Sequence, residues 1–463
     1  MGVRILHPLK NPLYRRLFSA QVIALSGTGI ATVALGLLAY RLNPEHAGAV
    51  LGTALAIKMI AYVLVAPAAS ALFAWISRRN LLVSADIVRL VAVVLLPFAT
   101  DIWQLYLLVF VLQAASATFT PAFQAMIPQV ITDEDEYTYA LSLSRLAYDL
   151  EAALSPLCAA VVLMVLPGPQ LFWITAAGFS CSAAIVATSA LPRRTGLAEQ
   201  ERMCIGRTRS LVSAEKHSIL GMLVMGGTRA LGELRQGVSR MRAGFAYFGV
   251  DPALRTLIAL NVAVSFGGAF VLVQTVVIVR GPLGGGESFV AVMLAINGLG
   301  SMVGAFTVPS VLARIGIART QLVGALVLAG AMLALTAAVL VTSVENLPVV
   351  LGVLWMAIGF GWAVVETPVG QLLRQRVAPA ELPDVFAAQF SLSHLCWLMA
   401  YPVVGWVGGL GLTTSIGVLA ALTCTGTVLA WSSMRGWRVR QKLTCENRAG
   451  DHGTPRTGTV RQA

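Results

Sequence analysis

The stretch LSRLAYDLEAALSP at 143–156 sets Arg145, Asp149 and Glu151 among residues otherwise fit for lipid. A charge at bilayer depth costs at least about 2.5–3.5 kcal/mol, so three of them must do something. The chemistry open to such groups is ion pairing and reversible protonation. Arg145 and Asp149 are four residues apart, on one helix face, and can pair within the helix. Glu151 lies two residues beyond Asp149, points elsewhere and needs another partner. The stretches around it hold more charges: Lys58, and Asp86 with Arg89 three residues on. Three acids and three bases balance, and a neutral network stapling the apolar stretches at 49–73, 81–100 and 138–166 (spans 2, 3 and 5) is one reading. Apolar packing usually stabilises as well or better, however. A buried acid whose proton affinity changes with its surroundings is the other reading. On it Glu151, Asp149 and Asp86 are the proton-site candidates, in that order, with Lys58, Arg89 and Arg145 as charge partners.

The second half of the chain is nearly neutral in its apolar stretches. Its exceptions are Glu366 and His394, and His394 titrates in the physiological range. Trp362 and Trp397 are candidates to line a cavity, with packed core the competing role for each. Transition metals favour imidazole and thiolate. The inventory for them is thin, with His394 and Cys158 the candidate ligands; His394 and Cys396, two apart, lie on different helix faces.

These residues need long apolar elements to hold them. The chain of 463 residues is 57% hydrophobic and 12% charged, against roughly 25% charged in soluble domains, and its mean hydropathy is +0.78. Runs long enough to cross a bilayer fall at roughly 17–40, 49–73, 81–100, 103–127, 138–166, 171–191, 256–279, 288–312, 320–342, 347–371, 384–407 and 412–434. The expectation is an all-α membrane protein of twelve transmembrane helices. It divides into a six-helix bundle over 1–191, a linker over 192–255 with an amphipathic helix near Ser218–Phe248, a second bundle over 256–434, and a disordered tail over 435–463. The first apolar run reaches Tyr40, too long for a signal peptide. Lys and Arg cluster before span 1, at Arg78 and Arg79, through 192–255 and after Arg435. By the positive-inside rule both termini are cytoplasmic. The net charge of +12 then reports topology and attraction to anionic lipid, not nucleic acid. The acidic run DEDE at 133–136 suits a helix N-terminus. No two of the six cysteines form a CxxC pair, and free thiols are expected.

The halves look alike. Thr120-Pro121 and Ser155-Pro156 in spans 4 and 5 match Thr367-Pro368 and Tyr401-Pro402 in spans 10 and 11, and Pro67 before Arg78 matches Pro309 before Arg314. Pseudo-symmetric halves with proline-interrupted helices are the mark of secondary transporters. The segment APAASALFAWISRRNLLVSADIVRL at 66–90 resembles the loop 2–3 signature of the major facilitator superfamily. Arg78 and Arg79 match its gate arginines, while Ser70 and Ala74 stand where the signature has Gly and Asp. NPLYRRLFSAQVIAL (11–25), LGTALAIKMIAYV (51–63), LQAASATFTPAFQAMIP (112–128), SLSRLAYDLEAALSP (142–156) and ALNVAVSFGGAFVLVQTVVIVR (259–280) resemble its drug-exporter branch, which includes the Nre-type nickel-resistance permeases.

The resemblance implies a monomeric, proton-coupled exporter in the bacterial cytoplasmic membrane, moving a small molecule or cation without a cofactor. Nickel or cobalt is the first named candidate, and a multidrug or macrolide-type exporter or a lipid flippase the alternative. No GxxxxGK[ST], HExxH or GxSxG occurs, so the parts of an ATP-driven or hydrolytic membrane enzyme are missing.

Overall fold

Apolar spans of 19 to 31 residues leave the backbone one way to satisfy itself in lipid, which is to bond within its own segment. The computed structural model describes residues 7–72, 76–124, 126–131, 133–189, 242, 244–341, 346–378 and 381–451, and among them there is no strand. The long helices are α1 (Pro12–Leu42), α2 (Ala47–Leu72), α3 (Arg78–Leu95), α4 (Ile102–Gln124), α5 (Glu134–Leu163), α6 (Gln170–Thr188), α7 (Pro252–Arg280), α8 (Glu287–Ile315), α9 (Ile317–Val341), α10 (Leu347–Glu366), α11 (Leu382–Val407) and α12 (Leu412–Asp451). Eleven of them are apolar and long enough to cross a membrane. The remaining one, α5, has 30 residues and carries Arg145, Asp149 and Glu151.

Local chemistry sets several starts. The Asn11 side chain accepts from the N–H groups of Leu13 and Tyr14 ahead of Pro12, and Asp251 caps α7 ahead of Pro252 in the same way. Asp133, first of the acidic run, accepts from Glu136 N–H at 2.8 Å and caps α5. Pro121, Pro309 and Pro402 lie inside their helices. Thr367-Pro368 instead breaks the chain between α10 and a short helix, Val369–Arg376.

Packing repeats between the halves. In the first, α1 rests on α5 and α6, α2 on α4, and α3 on α4 and α6. In the second, α7 rests on α11 and α12, α8 on α10, and α9 on α10 and α12. The halves meet where α2 crosses α11 and α5 crosses α8. Away from the core, α3 shows Ile87, Val91 and Leu95 outward, and α8 shows Leu299, Val303 and Phe306. Phe98, Trp103, Trp173 and Trp406 are exposed together at the end away from the termini, as expected of an interfacial aromatic belt.

The two ends differ. At that far end, Tyr40 Oη of α1 donates to Arg280 O of α7 at 3.0 Å, and Gly168 N donates to Glu287 Oε2 at 2.6 Å. Ser288 Oγ donates to Leu163 O at 2.5 Å. α2 and α11 touch there backbone to backbone: a Cβ on Gly405 would lie 2.5 Å from Gly48 O, and one on Gly52 would overlap Tyr401 O. Three hydrogen bonds and a glycine crossing thus join the halves at this end, and it is closed.

The linker helix expected near 218–248 falls mostly outside the described residues. Its last part, 244–250, is helical and lies against the start of α11, with Gly244 close to Asp384 O. α12 continues to Asp451, 40 residues and about 60 Å, so the segment from 435 begins as helix where the sequence reading places a disordered tail.

Candidate functional site

Near the midpoint of α1, Gly29 has no side chain, and α5 moves into the space. A Cβ there would overlap both Glu151 Oε1 and Ser155 Oγ. Glu151 keeps some exposed surface although it sits halfway along α5. Lys58, halfway along α2 and equally half-buried, is the cation whose field reaches it. Below this point Gln21 of α1 and Ser144 of α5 hydrogen-bond at 2.7 Å, and Tyr14 Oη donates to Ala140 O at 2.9 Å. These bonds fix the register that brings Glu151 to Gly29.

Asp86 and Arg89 form a separate unit. Arg89 pairs with Asp86 Oδ1, and Ser182 Oγ of α6 donates to Asp86 Oδ2 at 2.7 Å. The guanidinium is held over the rings of Phe119 at 4.3 Å and Phe179 at 4.7 Å, a favourable place for a cation. Asp86 is 0% and Arg89 3% exposed. The pair therefore binds α3 to α4 and α6, not spans 2, 3 and 5 together, and it is closed on all sides. The sequence spacing predicts the pair; its partners on other helices are not local and leave no trace in spacing.

The second half repeats the geometry with different chemistry. Glu151 stands five residues before Pro156, and Trp397 stands five before Pro402. Just as Glu151 fills the space at Gly29, Trp397 fills the space at Gly268 of α7, where a Cβ would lie 2.5 Å from its Cη2. Tyr401 stands in the place of Ser155. Its ring lies 5.3 Å from Trp397, and Trp362 of α10 lies 5.1 Å from Trp397 on the other side. An acid in one half thus corresponds to an aromatic wall in the other. Ser393 Oγ donating to Asn261 Oδ1 at 2.8 Å ties α11 to α7.

His394 stacks between Phe390, at 3.8 Å, and Tyr62 of α2, at 5.8 Å. Its Nδ1 is 2.8 Å from Phe390 O, which assigns the Nδ1 proton as donor to that carbonyl. Glu366 ends α10 within electrostatic reach of Cys396. Cys158 is exposed on the outer face of α5. No three His, Cys, Asp or Glu side chains among the described residues converge on a metal site. The Arg145 and Asp149 side chains lie outside the described residues. Arg79 donates to Ala187 O at the end of α6, and Arg78 beside it is half-buried; Ala74 lies outside the described residues. Gly29, Tyr62, Ser155 and Tyr401 are residues of this layer that sequence reasoning passed over. The proline register, applied residue by residue, finds the last two.

Outside the bundle, Tyr247 Oη donates to Glu381, and that carboxylate beside it holds the phenol above its ordinary range. Arg376 and Asp251 approach to 4.0 Å nearby.

A family model described as Major Facilitator Superfamily matches residues 17–401. The chain belongs to the major facilitator superfamily. It is accordingly a multi-pass membrane transporter of small molecules, not an enzyme. Among solved structures, the nucleoside transporter NupG is similar at 14% identity and TM-score 0.63, covering 91% of this chain and 98% of its own. A bacterial homolog of the human lysosomal transporter Spinster, in an inward-facing and unoccupied conformation, gives 13% and 0.66 over 92% and 97%. A D-xylose-proton symporter gives 14% and 0.63 over 91% and 97%. These likenesses show the fold. No curated relative matches the sequence.

Proposed function

We propose that this superfamily member is a monomeric secondary exporter of the bacterial cytoplasmic membrane, exchanging protons for a small molecule or cation by alternating access. Both termini face the cytoplasm, as the basic residues at that end require. The closed far end is then the external side. The observation that carries the reading is Glu151 in the Gly29 notch, at mid-depth, partly exposed and in the field of Lys58. A carboxyl that alternates between contact with a cation and isolation alternates in proton affinity, which is what an exchange cycle needs. Glu151 is the proton site and Lys58 its partner.

The substrate site is the matching wall of Trp362, Trp397 and Tyr401, with His394 and Glu366 beside it. Flat rings at mid-depth suit an organic, ring-bearing molecule of the multidrug or macrolide type more than bare nickel or cobalt, which would need nitrogen, sulfur or oxygen ligands to converge.

The test is Glu151→Gln in everted vesicles. Uphill, proton-driven transport is expected to vanish while exchange of substrate across the membrane survives; undiminished uphill transport would remove Glu151 from the cycle. A growth panel of cells with and without the gene, challenged with nickel, cobalt, dyes and macrolides, names the substrate. Protection against nickel alone would overturn the organic reading.

A further inference from the structure

Exchange requires the proton site of one half to be felt in the other, and one face of α2 is placed to do this. Lys58 and Tyr62 are four residues apart, so they stand one turn apart on that face. Lys58 lies in the field of Glu151 of α5. The Tyr62 ring lies on the His394 ring of α11, 5.8 Å between centroids and 29° from parallel. His394 is backed by Phe390 and held through Nδ1, one turn below Trp397 on the same helix. From Glu151 to the aromatic wall, the groups therefore follow in the order Lys58, Tyr62 and His394, with the Tyr62–His394 stack as the step between the halves.

α2 and α11 are also joined at the far end, where Gly52 meets Tyr401 O, ten residues or about 15 Å from Tyr62. When the halves rock, that backbone contact must part, whereas two flat rings can slide on each other and stay in touch.

We propose that Tyr62 is the positioning residue that carries the state of Glu151 across to α11. With Glu151 ionised, Lys58 is held toward α5. Once Glu151 takes a proton, the Lys58 ammonium, on its flexible four-carbon stem, turns along α2 to the face of the Tyr62 ring, a cation–π site one turn away. There it loosens the stack on His394. The requirement is for a ring at 62, not for its hydroxyl.

This rests on Glu151 being the proton site, and the experiment separates the two claims. Full-length protein in lipid nanodiscs, its native cysteines replaced by serine, carries spin labels at Thr100→Cys and Pro282→Cys, far-end positions in different halves. Pulsed electron resonance then gives the ratio of closed to open far ends. Glu151→Gln, standing for the protonated acid, is expected to change that ratio by about fivefold or more, the lower bound for linked sites. With Tyr62→Phe the change should persist; with Tyr62→Leu it should vanish. A full change in the Tyr62→Leu background overturns the proposal while leaving Glu151 in place. No change in the wild-type background overturns both. If Tyr62→Leu does not elute as folded protein, Tyr62→Met, unbranched, flexible and without a ring, takes its place.

Discussion

Gly29 carries no side chain, and the end of Glu151 stands where one would be. Gly29→Ala should displace Glu151 and Ser155, cost about 1–3 kcal/mol by overpacking and lower transport. Adding Ser155→Gly, which empties most of the overlapped space, should restore much of both, as read by thermal unfolding in detergent and by vesicle uptake. The Asp86–Arg89 pair makes the opposite kind of prediction. Asp86→Ala strands a buried guanidinium and should destabilise by about 3–5 kcal/mol, whereas Asp86→Leu with Arg89→Met should recover stability and transport alike. A stable double variant that no longer transports would put this pair in the mechanism. At this scale the sequence revealed what is local. Residue counting along span 5 puts Glu151 near mid-depth, and the three-residue spacing pairs Asp86 with Arg89. The Gly29 notch, Ser182 and the two phenylalanine rings come from helices far along the chain, and no spacing encodes them.

The crossing of α2 and α11 depends on residues that are small enough to vanish. A leucine at Gly405 would meet Gly48 O and the Ala49 backbone. Gly405→Leu should therefore hold the far end open, which labels at 100 and 282 would report as a lengthened distance. At the other end of α11, Tyr247→Phe removes the bond to Glu381 and should raise hydrogen–deuterium exchange over 244–250. The Tyr247 phenol is held above its ordinary 10.0, so the bond is present below pH 10 and is lost as pH rises through the raised value. A difference titration at 295 nm against Tyr247→Phe should show that late ionisation. The helices themselves were legible, because hydrophobic run length decides them in lipid. Their ends were less so. Thr367-Pro368 breaks its helix while Pro121 and Pro402 are accommodated, and α12 runs on to Asp451 through residues whose polarity reads as tail.

Across the whole molecule, the main packing pairs of one half have counterparts in the other, and the halves touch chiefly through α2 with α11 and α5 with α8. Proline spacing exposed that repeat, since prolines recur at equivalent positions, even though Pro121 is accommodated in its helix and Pro368 is not. The closed end could not be read, because it belongs to a conformation and not to the fold. A disulfide formed between Gly168→Cys and Glu287→Cys, positions already in contact, should trap that state. Transport is expected to stop on oxidation and return with reductant; transport that continues through a complete cross-link would mean that the far end need not open.

The glycine crossing also bears on speed. Backbone meeting backbone has no rotamers to sort, and Gly48, Gly52 and Gly405 immobilise no side chain when they close. Ordering a long side chain costs up to about 2 kcal/mol, an expense that a seal made and broken in every cycle would meet each time. A seam of this kind can part on demand, and the side-chain ordering that the closed end does require falls on Tyr40, Glu287 and Ser288.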